Sequence, residues 1–376
     1  MSLLKKLYIA GCWVCSLPLP VNRKKVVFSS YYGRGYSDNP KAICEALRGK
    51  GLKLVWLVKN KKEAATLPPD VVPCLYDSPK RVFALATAGV WVDNCRKYDR
   101  FKKKNQYYLQ TWHGFPLKRI EKDAGEALGT NYAKGALRDS AKIDLLLSNS
   151  TFCTQTFRRC FWYGGEIAEY GSPRNDVFFC GNSATKKKVW KSLGLEEEKN
   201  LVLYAPTFRV DHSVDAYCLD AKTLADACEK RFGGSWAVLI RLHPNVAEQS
   251  KELFAYDGDH IVDATMYPDM QELLVAADML ITDYSSSMFD YALSGKPCLR
   301  FAPDLELYRK DRNFYFSQDE MPFPVAEDNE TLGHCVEAFD EAEYHACWNA
   351  FKERNGFVED GKAASRCADW ILAHIK

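Results

Sequence analysis

The chain lacks a long apolar run. Its best candidate, residues 3–19 (LLKKLYIAGCWVCSLPL), has two lysines near its start and prolines near its end. Its apolar core falls short of the roughly 20 residues that a spanning helix needs. A low-complexity tract is also missing, and 47% of the 376 residues are apolar. These features exclude a disordered chain and predict globular structure throughout, in two domains of ordinary size. The fourteen cysteines form no disulfide-style framework. No cleavable secretory signal is convincing either, because prolines and a basic cluster stand where small cleavage-site residues belong. Free, mostly buried thiols in a reducing cytosol are therefore expected. Cys12 and Cys15 make a C-x-x-C pair, but no second pair or His pair follows at zinc-finger spacing, so the pair is incidental.

The net charge is only +2, yet its distribution is uneven. Between Cys95 and Lys142 stand twelve Lys/Arg against five Asp/Glu, a local excess of seven. The run includes Lys102, Lys103, Lys104, Lys118 and Arg119. Such a patch suits a solvated face, nucleic acid or anionic lipid. Nucleic acid is set aside because no helix-turn-helix, RNP-like or finger pattern is present. The N-terminal segment favours lipid. An interfacial helix with Tyr8 and Trp13 at headgroup depth and Lys5 and Lys6 nearby fits its composition. The alternative is that it packs on the protein's own surface.

Strand-like and helix-like segments alternate along the chain. Strands are expected at residues 25–30, 52–58, 71–76, 89–93, 107–112, 145–149 and 167–170, and again at 201–205, 237–241, 260–262, 279–282 and 298–301. The alternation predicts mostly parallel sheets covered on both faces. The expected division is an α/β domain over 1–182, a second over 183–341, and terminal helices over 342–376 that pack back across a central cleft. Near the start, Tyr32-Gly33-Arg34-Gly35 resembles a dinucleotide loop. It lacks the third glycine, and no acid ends the second strand, which argues against a NAD site. Asp257-Gly258-Asp259 has D-x-D form but reads better as a turn.

Residues 277–297 (ADMLITDYSSSMFDYALSGKP) carry the strongest chemical signal. A buried strand enters a turn of Asp283, Tyr284, Ser285, Ser286 and Ser287, and a helix follows. Free N–H groups and the positive end of the helix dipole then meet at one point, a geometry that binds phosphate. Two histidines add to it. Residues 107–112 deliver His113-Gly114 and residues 237–241 deliver His243-Pro244, each just past the carboxyl end of an apolar strand. Open α/β sheets bind ligands there. The other five histidines have no such context.

These elements belong to an ordered set. Trp112-His113-Gly114 with Pro116-Leu117-Lys118 is followed by Gly171-Ser172-Pro173-Arg174-Asn175-Asp176, Tyr204-Ala205-Pro206-Thr207-Phe208-Arg209 and Arg241-Leu242-His243-Pro244. Asp269-Met270-Gln271-Glu272, Ile281-Thr282-Asp283-Tyr284-Ser285-Ser286, Phe289-Asp290, Lys296-Pro297 and residues 304–316 complete it. In order and spacing the set resembles the CDP-glycerol glycerophosphotransferase family of teichoic-acid and capsule synthesis. The resemblance implies two Rossmann-like domains of GT-B type and peripheral attachment to the cytoplasmic membrane face. It also implies transfer of an alditol phosphate from a CDP-activated donor to a lipid-linked acceptor, with release of CMP. The first domain would then bind acceptor and membrane, with Gly33 and Gly114 in its loops, and the second would bind the donor.

On this reading His113 takes the proton of the acceptor hydroxyl as it attacks the donor's β-phosphorus. His243 binds the phosphate oxygens or shields the departing CMP. The Ser285–Ser287 turn supplies N–H donors, and Arg209, Arg241 and Lys296 are the candidate cations. Asp283 either orients donor hydroxyls or caps the helix, and Asp269 with Glu272 reads first as a capping box. No metal-ligand cluster stands out. A magnesium ion carried on the donor pyrophosphate is the one metal that the chemistry admits. Long processive members of the family carry a large extra N-terminal domain, so the length of this chain favours priming or short extension. CDP-ribitol is the alternative donor. A GT-B nucleotide-sugar glycosyltransferase or a UDP-sugar 2-epimerase is the more distant alternative.

Overall fold

The computed structural model describes residues 3–97, 99, 101–181, 183–195, 199–209, 216–242, 261–306 and 314–375, with only the backbone at 3–7, 126 and 127. His243, Arg100 and the D-x-D turn at 257–259 lie outside the described residues.

Two compact units are present. One comprises Met1–His113, Ile120–Asp176 and Phe357–Lys376, and the other Gly114–Arg119 and Val177–Gly356. The division differs from the expected one near residue 182. The short segment after His113 belongs to the second unit, and the last twenty residues belong to the first. The helix Glu341–Asn355 is thus separated from the helix Ala363–His374.

The first unit holds a seven-stranded sheet. Its strands are β1 (Asn22–Ser29), β2 (Lys53–Val58), β3 (Val71–Leu75), β4 (Ala88–Asp93), β5 (Tyr107–Gln110), β6 (Leu145–Ser148) and β7 (Glu166–Glu169). They lie in the order β3-β2-β1-β4-β5-β6-β7, and every pairing is parallel. Near-continuous apolar strands such as KLVWLV suit a sheet covered on both faces. On one face Val26, Phe28, Trp56 and Val90 pack with Ile43 and Leu47 of the helix Asp38–Leu47 and with Cys367 and Ile371 of the C-terminal helix. The Gly171–Asp176 motif fastens that C-terminal segment. Ser172 N–H donates to Glu359 at 3.0 Å and Asn175 Nδ2 donates to it at 3.2 Å. The Asp176 carboxylate accepts from the N–H groups of Ala363 and Ala364, at the start of the last helix.

The second unit holds β8 (Asn200–Tyr204), β9 (Trp236–Ile240), β10 (Ile261–Asp263), β11 (Met279–Thr282), β12 (Cys298–Phe301) and β13 (Val325–Ala326). Their order is β10-β9-β8-β11-β12-β13, again parallel throughout. β13 has only two residues, too short to leave a periodic signal, and it was not expected from sequence. In each unit the strand order reverses once, between β1 and β4 and between β8 and β11. Such switch points open a crevice at the carboxyl ends of the strands.

The N-terminal helix Leu3–Ser16 packs on the helix Pro79–Ala86. This corrects the expectation for Trp13. The residue is only 4% exposed and meets Phe101 edge-on at 6.1 Å, so its indole is part of the protein's own packing. Lys103 Nζ donates to the carbonyls of Ser16 at 3.1 Å and Leu19 at 2.5 Å, satisfying the end of that helix. Tyr8 and Val14, by contrast, are 61% and 63% exposed.

The basic run is also smaller at the surface than in sequence. Arg96 is buried against Glu121 at 3.1 Å and Asp139 at 3.6 Å. Lys97 pairs with Asp93 at 2.7 Å, Lys102 with Asp144 at 2.7 Å, and Lys142 with Asp139 at 3.6 Å. Lys104, Arg119, Lys122, Lys134 and Arg138 remain exposed, and Lys118 is half-buried.

Candidate active site

In the first unit the switch point is built around His113. β5 ends at Gln110, whose side chain accepts from the Trp112 N–H at 2.9 Å and donates to the Cys95 carbonyl at 2.8 Å. That pair ties the loop after β5 to the loop after β4. Trp112 follows with φ of 52°, and its carbonyl accepts from Asn39 Nδ2 at 3.1 Å. The next residue brings its Nδ1 within 2.6 Å of the Asn94 carbonyl oxygen. A carbonyl oxygen can only accept, so Nδ1 carries the proton of the neutral ring and Nε2 keeps a lone pair. No hydrogen bond among the described residues engages Nε2. Burial holds the imidazole below its ordinary value of 6.5, outweighing the opposite pull of the Asn94 carbonyl and of Asp38. His113 is thus neutral at pH 7, with Nε2 as its basic nitrogen.

Residues with no role assigned from sequence surround it. Tyr31 follows β1, and its N–H donates to Asn94 Oδ1 at 2.9 Å while its hydroxyl donates to Asp38 Oδ2 at 2.6 Å. Arg174 Nη1 donates to the same Asp38 oxygen at 2.7 Å and to the His113 carbonyl at 3.0 Å. The Arg174 N–H donates to Asn39 Oδ1 at 3.0 Å. Burial alone would raise the Asp38 carboxyl, but Arg174, Tyr31 and the Asn39 N–H outweigh it and hold the group below the usual carboxylate range. Tyr31, Tyr32, Asp38 and Trp112 all have φ between 43° and 64°. Strain of that kind in non-glycine residues costs of order 1–3 kcal/mol each and collects at functional sites. The only signal in sequence was that Arg174 stands inside a motif.

Gly33 lies in the loop after β1 with φ of 87°, and a Cβ there would come within 2.9 Å of Tyr76 Cβ. Close packing of the turn accounts for this glycine. Gly114, with φ of 143°, begins the segment that belongs to the second unit. There Phe115 is buried among Phe289, Phe316 and Phe351.

In the second unit the loops after β8 and β11 meet at the switch point. Asp283 accepts from the Thr207 N–H at 2.8 Å, the Thr207 hydroxyl, the Tyr284 N–H at 2.5 Å and Arg209 Nη1 at 2.9 Å. Four donors match the acceptor capacity of a carboxylate. Arg209 also forms a two-pronged pair with Asp304, Nε to Oδ2 at 2.6 Å and Nη2 to Oδ1 at 2.9 Å. Both residues therefore brace the loops, since their polar groups are already engaged by protein. Ser285 and Ser287 bond to each other through their hydroxyls at 2.9 Å, and Ser286 makes no side-chain capping bond to the helix Ser287–Ala292. Arg241, just past β9, is half-buried and donates to the Tyr267 carbonyl. Asp269 accepts from the Gln271 N–H at 2.9 Å, capping the helix Met270–Ala276.

Lys296 does not join this group. Its Nζ donates to the Ala277 carbonyl at 2.6 Å and pairs with Asp278 at 3.2 Å. Those residues precede β11, as Lys296 precedes β12, so the lysine stands at the amino ends of parallel strands. Asp283 and the serines follow the carboxyl end, about 13 Å away along a four-residue strand. The assignment of Lys296 to donor phosphate is corrected accordingly. Among the described residues no group of three His, Cys, Asp or Glu side chains is placed to hold a metal ion.

The model of the CDP-glycerol:poly(glycerophosphate) glycerophosphotransferase family matches residues 13–373. The chain belongs to that family. It is similar to the teichoic acid poly(glycerol phosphate) polymerase of Bacillus subtilis (strain 168), with 34% identity over 370 residues, 94% of this chain and 49% of that one. It is also similar to the teichoic acid glycerol-phosphate transferase of Staphylococcus aureus (strain NCTC 8325 / PS 47), with 31% identity over 93% of both chains. Among solved structures it resembles the wall teichoic acid polymerase TagF, in a histidine-to-asparagine variant soaked with CDPG. Identity is 31% and the TM-score 0.87, over 99% of this chain and 94% of that one. The chain spans about half the length of the first curated relatives that it matches. Two parallel α/β sheets with this likeness make the fold GT-B-like. A putative UDP-N-acetylglucosamine 2-epimerase from Listeria monocytogenes shares the fold at 12% identity and a TM-score of 0.54.

Proposed function

We propose that the protein transfers glycerol phosphate from CDP-glycerol to a hydroxyl of a lipid-linked acceptor, releasing CMP, in the synthesis of a teichoic-acid-like or capsular polymer. The observation that carries this reading is His113, held neutral with Nε2 as its basic nitrogen inside a chain of this family. The acceptor hydroxyl gives its proton to Nε2, and its oxygen bonds to the β-phosphorus of the donor. The bond from that phosphorus to the bridging oxygen breaks, and CMP departs with the electron pair. Phosphoryl transfer asks a protein mainly for positioning and charge stabilisation, so single well-placed residues, a base and a few anion-binding groups, suffice. The first unit takes the acceptor. The second takes the donor through Ser285, Ser286 and Arg241, with Asp283 and Arg209 bracing the loops behind them; His243 is assigned to the same phosphate.

The reaction runs at the cytoplasmic face of the cell membrane, with the protein bound peripherally. Support comes from the exposed Tyr8 and Val14 on the N-terminal helix and from the exposed cations Lys104, Lys134 and Arg138. The test is incubation with CDP-glycerol, CDP-ribitol and UDP-sugars in the presence of a lipid-linked acceptor. CMP release from CDP-glycerol is expected. Faster turnover of CDP-ribitol would move the assignment to a ribitolphosphotransferase, and UDP release would overturn it.

A further inference from the structure

A base that works in one orientation needs its main chain fixed as well as its ring. The ring of His113 is fixed by the Asn94 carbonyl on Nδ1 and by the Trp112 indole, whose centroid lies 4.1 Å away. The main chain is fixed by a second contact. Arg174 is 8% exposed, and one of its nitrogens reaches both the His113 carbonyl and Asp38. Asp38 is in turn held by the Tyr31 hydroxyl, and Tyr31 donates its N–H to the side chain of Asn94, the residue whose carbonyl holds the ring. The circuit is closed: His113, Arg174, Asp38, Tyr31, Asn94 and back to His113. It joins the loops after β1, β4 and β5 to the motif after β7, and it contains two left-handed residues, Tyr31 and Asp38.

We propose that Arg174, braced by Asp38, is a positioning residue that keeps His113 in the orientation where Nε2 receives the acceptor's proton. The inference rests on the reading of His113 as the base. Lysine in place of Arg174 keeps the charge and a single donating nitrogen, but it lacks the rigid guanidinium that holds that nitrogen between the Asp38 carboxylate and the His113 carbonyl. A misplacement of about 1 Å at a reacting group costs roughly 10²-fold in rate.

The test uses the full chain with ring-15N histidine, in which His113 is assigned by the signal lost in His113→Ala. The wild type should show the Nδ1–H tautomer at neutral pH. Arg174→Gln should give mixed tautomers and an altered His113 titration, since Arg174, Asp38 and Glu121 are the charged groups that act on that ring. Its kcat should fall roughly 10²-fold while KM for CDP-glycerol stays within about threefold, and Arg174→Lys should recover part of the loss. Asp38→Asn should change the ring signal in the same way, and it carries the test if Arg174→Gln does not fold. A lower melting temperature with unchanged tautomer, titration and kcat would make Arg174 a structural brace and overturn the proposal. The ring measurement needs no substrate. A wild type that releases no CMP would therefore refute the proposed reaction, while the positioning role is decided separately by the tautomer.

Discussion

The Asn94 carbonyl oxygen lies 2.6 Å from Nδ1 of His113, which consigns the ring's one proton to the protein and leaves Nε2 for chemistry. With His113 as the proposed base, its removal should lower turnover by roughly 10²–10⁴-fold, the usual share of general base catalysis. His113→Ala should do so with circular dichroism and melting temperature close to the wild type. The pH profile gives an independent check. Burial lowers the imidazole pKa, so the neutral base persists below pH 6.5 and turnover is lost only as pH falls through the lowered value. The same shift bears on stability. The unfolded chain takes up this proton first, so the contribution of His113 is intact above about pH 6.5 and erodes as pH falls from there through the folded value. Full turnover by a folded His113→Ala protein would remove the residue from the mechanism.

Lys296 separates fold from site. It is tied to Ala277 and Asp278 at the amino edge of the second sheet, where Asp278 also pairs with Lys186 at 2.5 Å. Lys296→Met should therefore lower the melting temperature, by the equivalent of about 1 kcal/mol for a partly exposed pair, and leave CDP-glycerol affinity unchanged in a calorimetric titration. A tenfold loss of donor affinity with unchanged stability would restore it to the donor site.

The serine turn and the Arg209 brace should respond in opposite ways. Ser286→Ala and Ser285→Ala should fold normally and weaken CDP-glycerol handling. Loss of a preorganised donor to developing charge costs on the order of 2.7–4 kcal/mol in the transition state. Arg209→Leu leaves the buried Asp283 and the partly buried Asp304 without their shared cation. Breaking a buried pair in this way costs about 3–5 kcal/mol of stability, so a large drop in melting temperature should precede any effect on donor binding. A stable Arg209→Leu protein that fails only to bind donor would show that the guanidinium contacts phosphate directly.

Much of this fold was legible because parallel strands buried on both faces leave apolar runs bounded by turns. Residues 52–58 and 279–282 are plain examples, and β2 and β11 lie there. His113 was legible for the same reason, as a histidine one loop beyond a strand end. Its supporting circuit was not. Asp38 and Arg174 are 136 positions apart in the chain and meet only because β1 and β7 are both parallel strands whose following loops emerge on one edge of the sheet. Charge counting failed in a different way. A run of cations in sequence carries no record of partners such as Glu121, Asp139 or Asp144, so paired, buried charges and exposed ones were counted alike. Lys296 looked like a phosphate ligand because it stands just after a helix, whereas that helix returns the chain from the serine turn to the other end of the strands.

Membrane binding can be tested at exposed cations that form no ion pair among the described residues; of these, Arg138 donates only to the Lys134 carbonyl of its own helix, at 3.1 Å. Lys102 pairs with Asp144, and Lys103 holds the last carbonyls of the N-terminal segment, so reversing either charge disturbs packing as well as the surface. Trp13→Ala likewise loosens the N-terminal helix from the protein. Lys104→Glu, Lys134→Glu and Arg138→Glu change exposed groups only. Each basic residue near an anionic surface contributes about fivefold to partitioning, and the attraction decays within roughly 8 Å at physiological salt. Sedimentation with vesicles containing anionic lipid should therefore fall on each reversal and on raising salt, with the melting temperature unchanged. Tyr8→Ser and Val14→Ser should reduce binding at every salt concentration, because the apolar contribution is not screened. Activity on a lipid-linked acceptor should fall with vesicle binding, while activity on a short soluble analogue should not. Vesicle binding that ignores salt, the three reversals and the two serine variants alike would mean that these surfaces only face water.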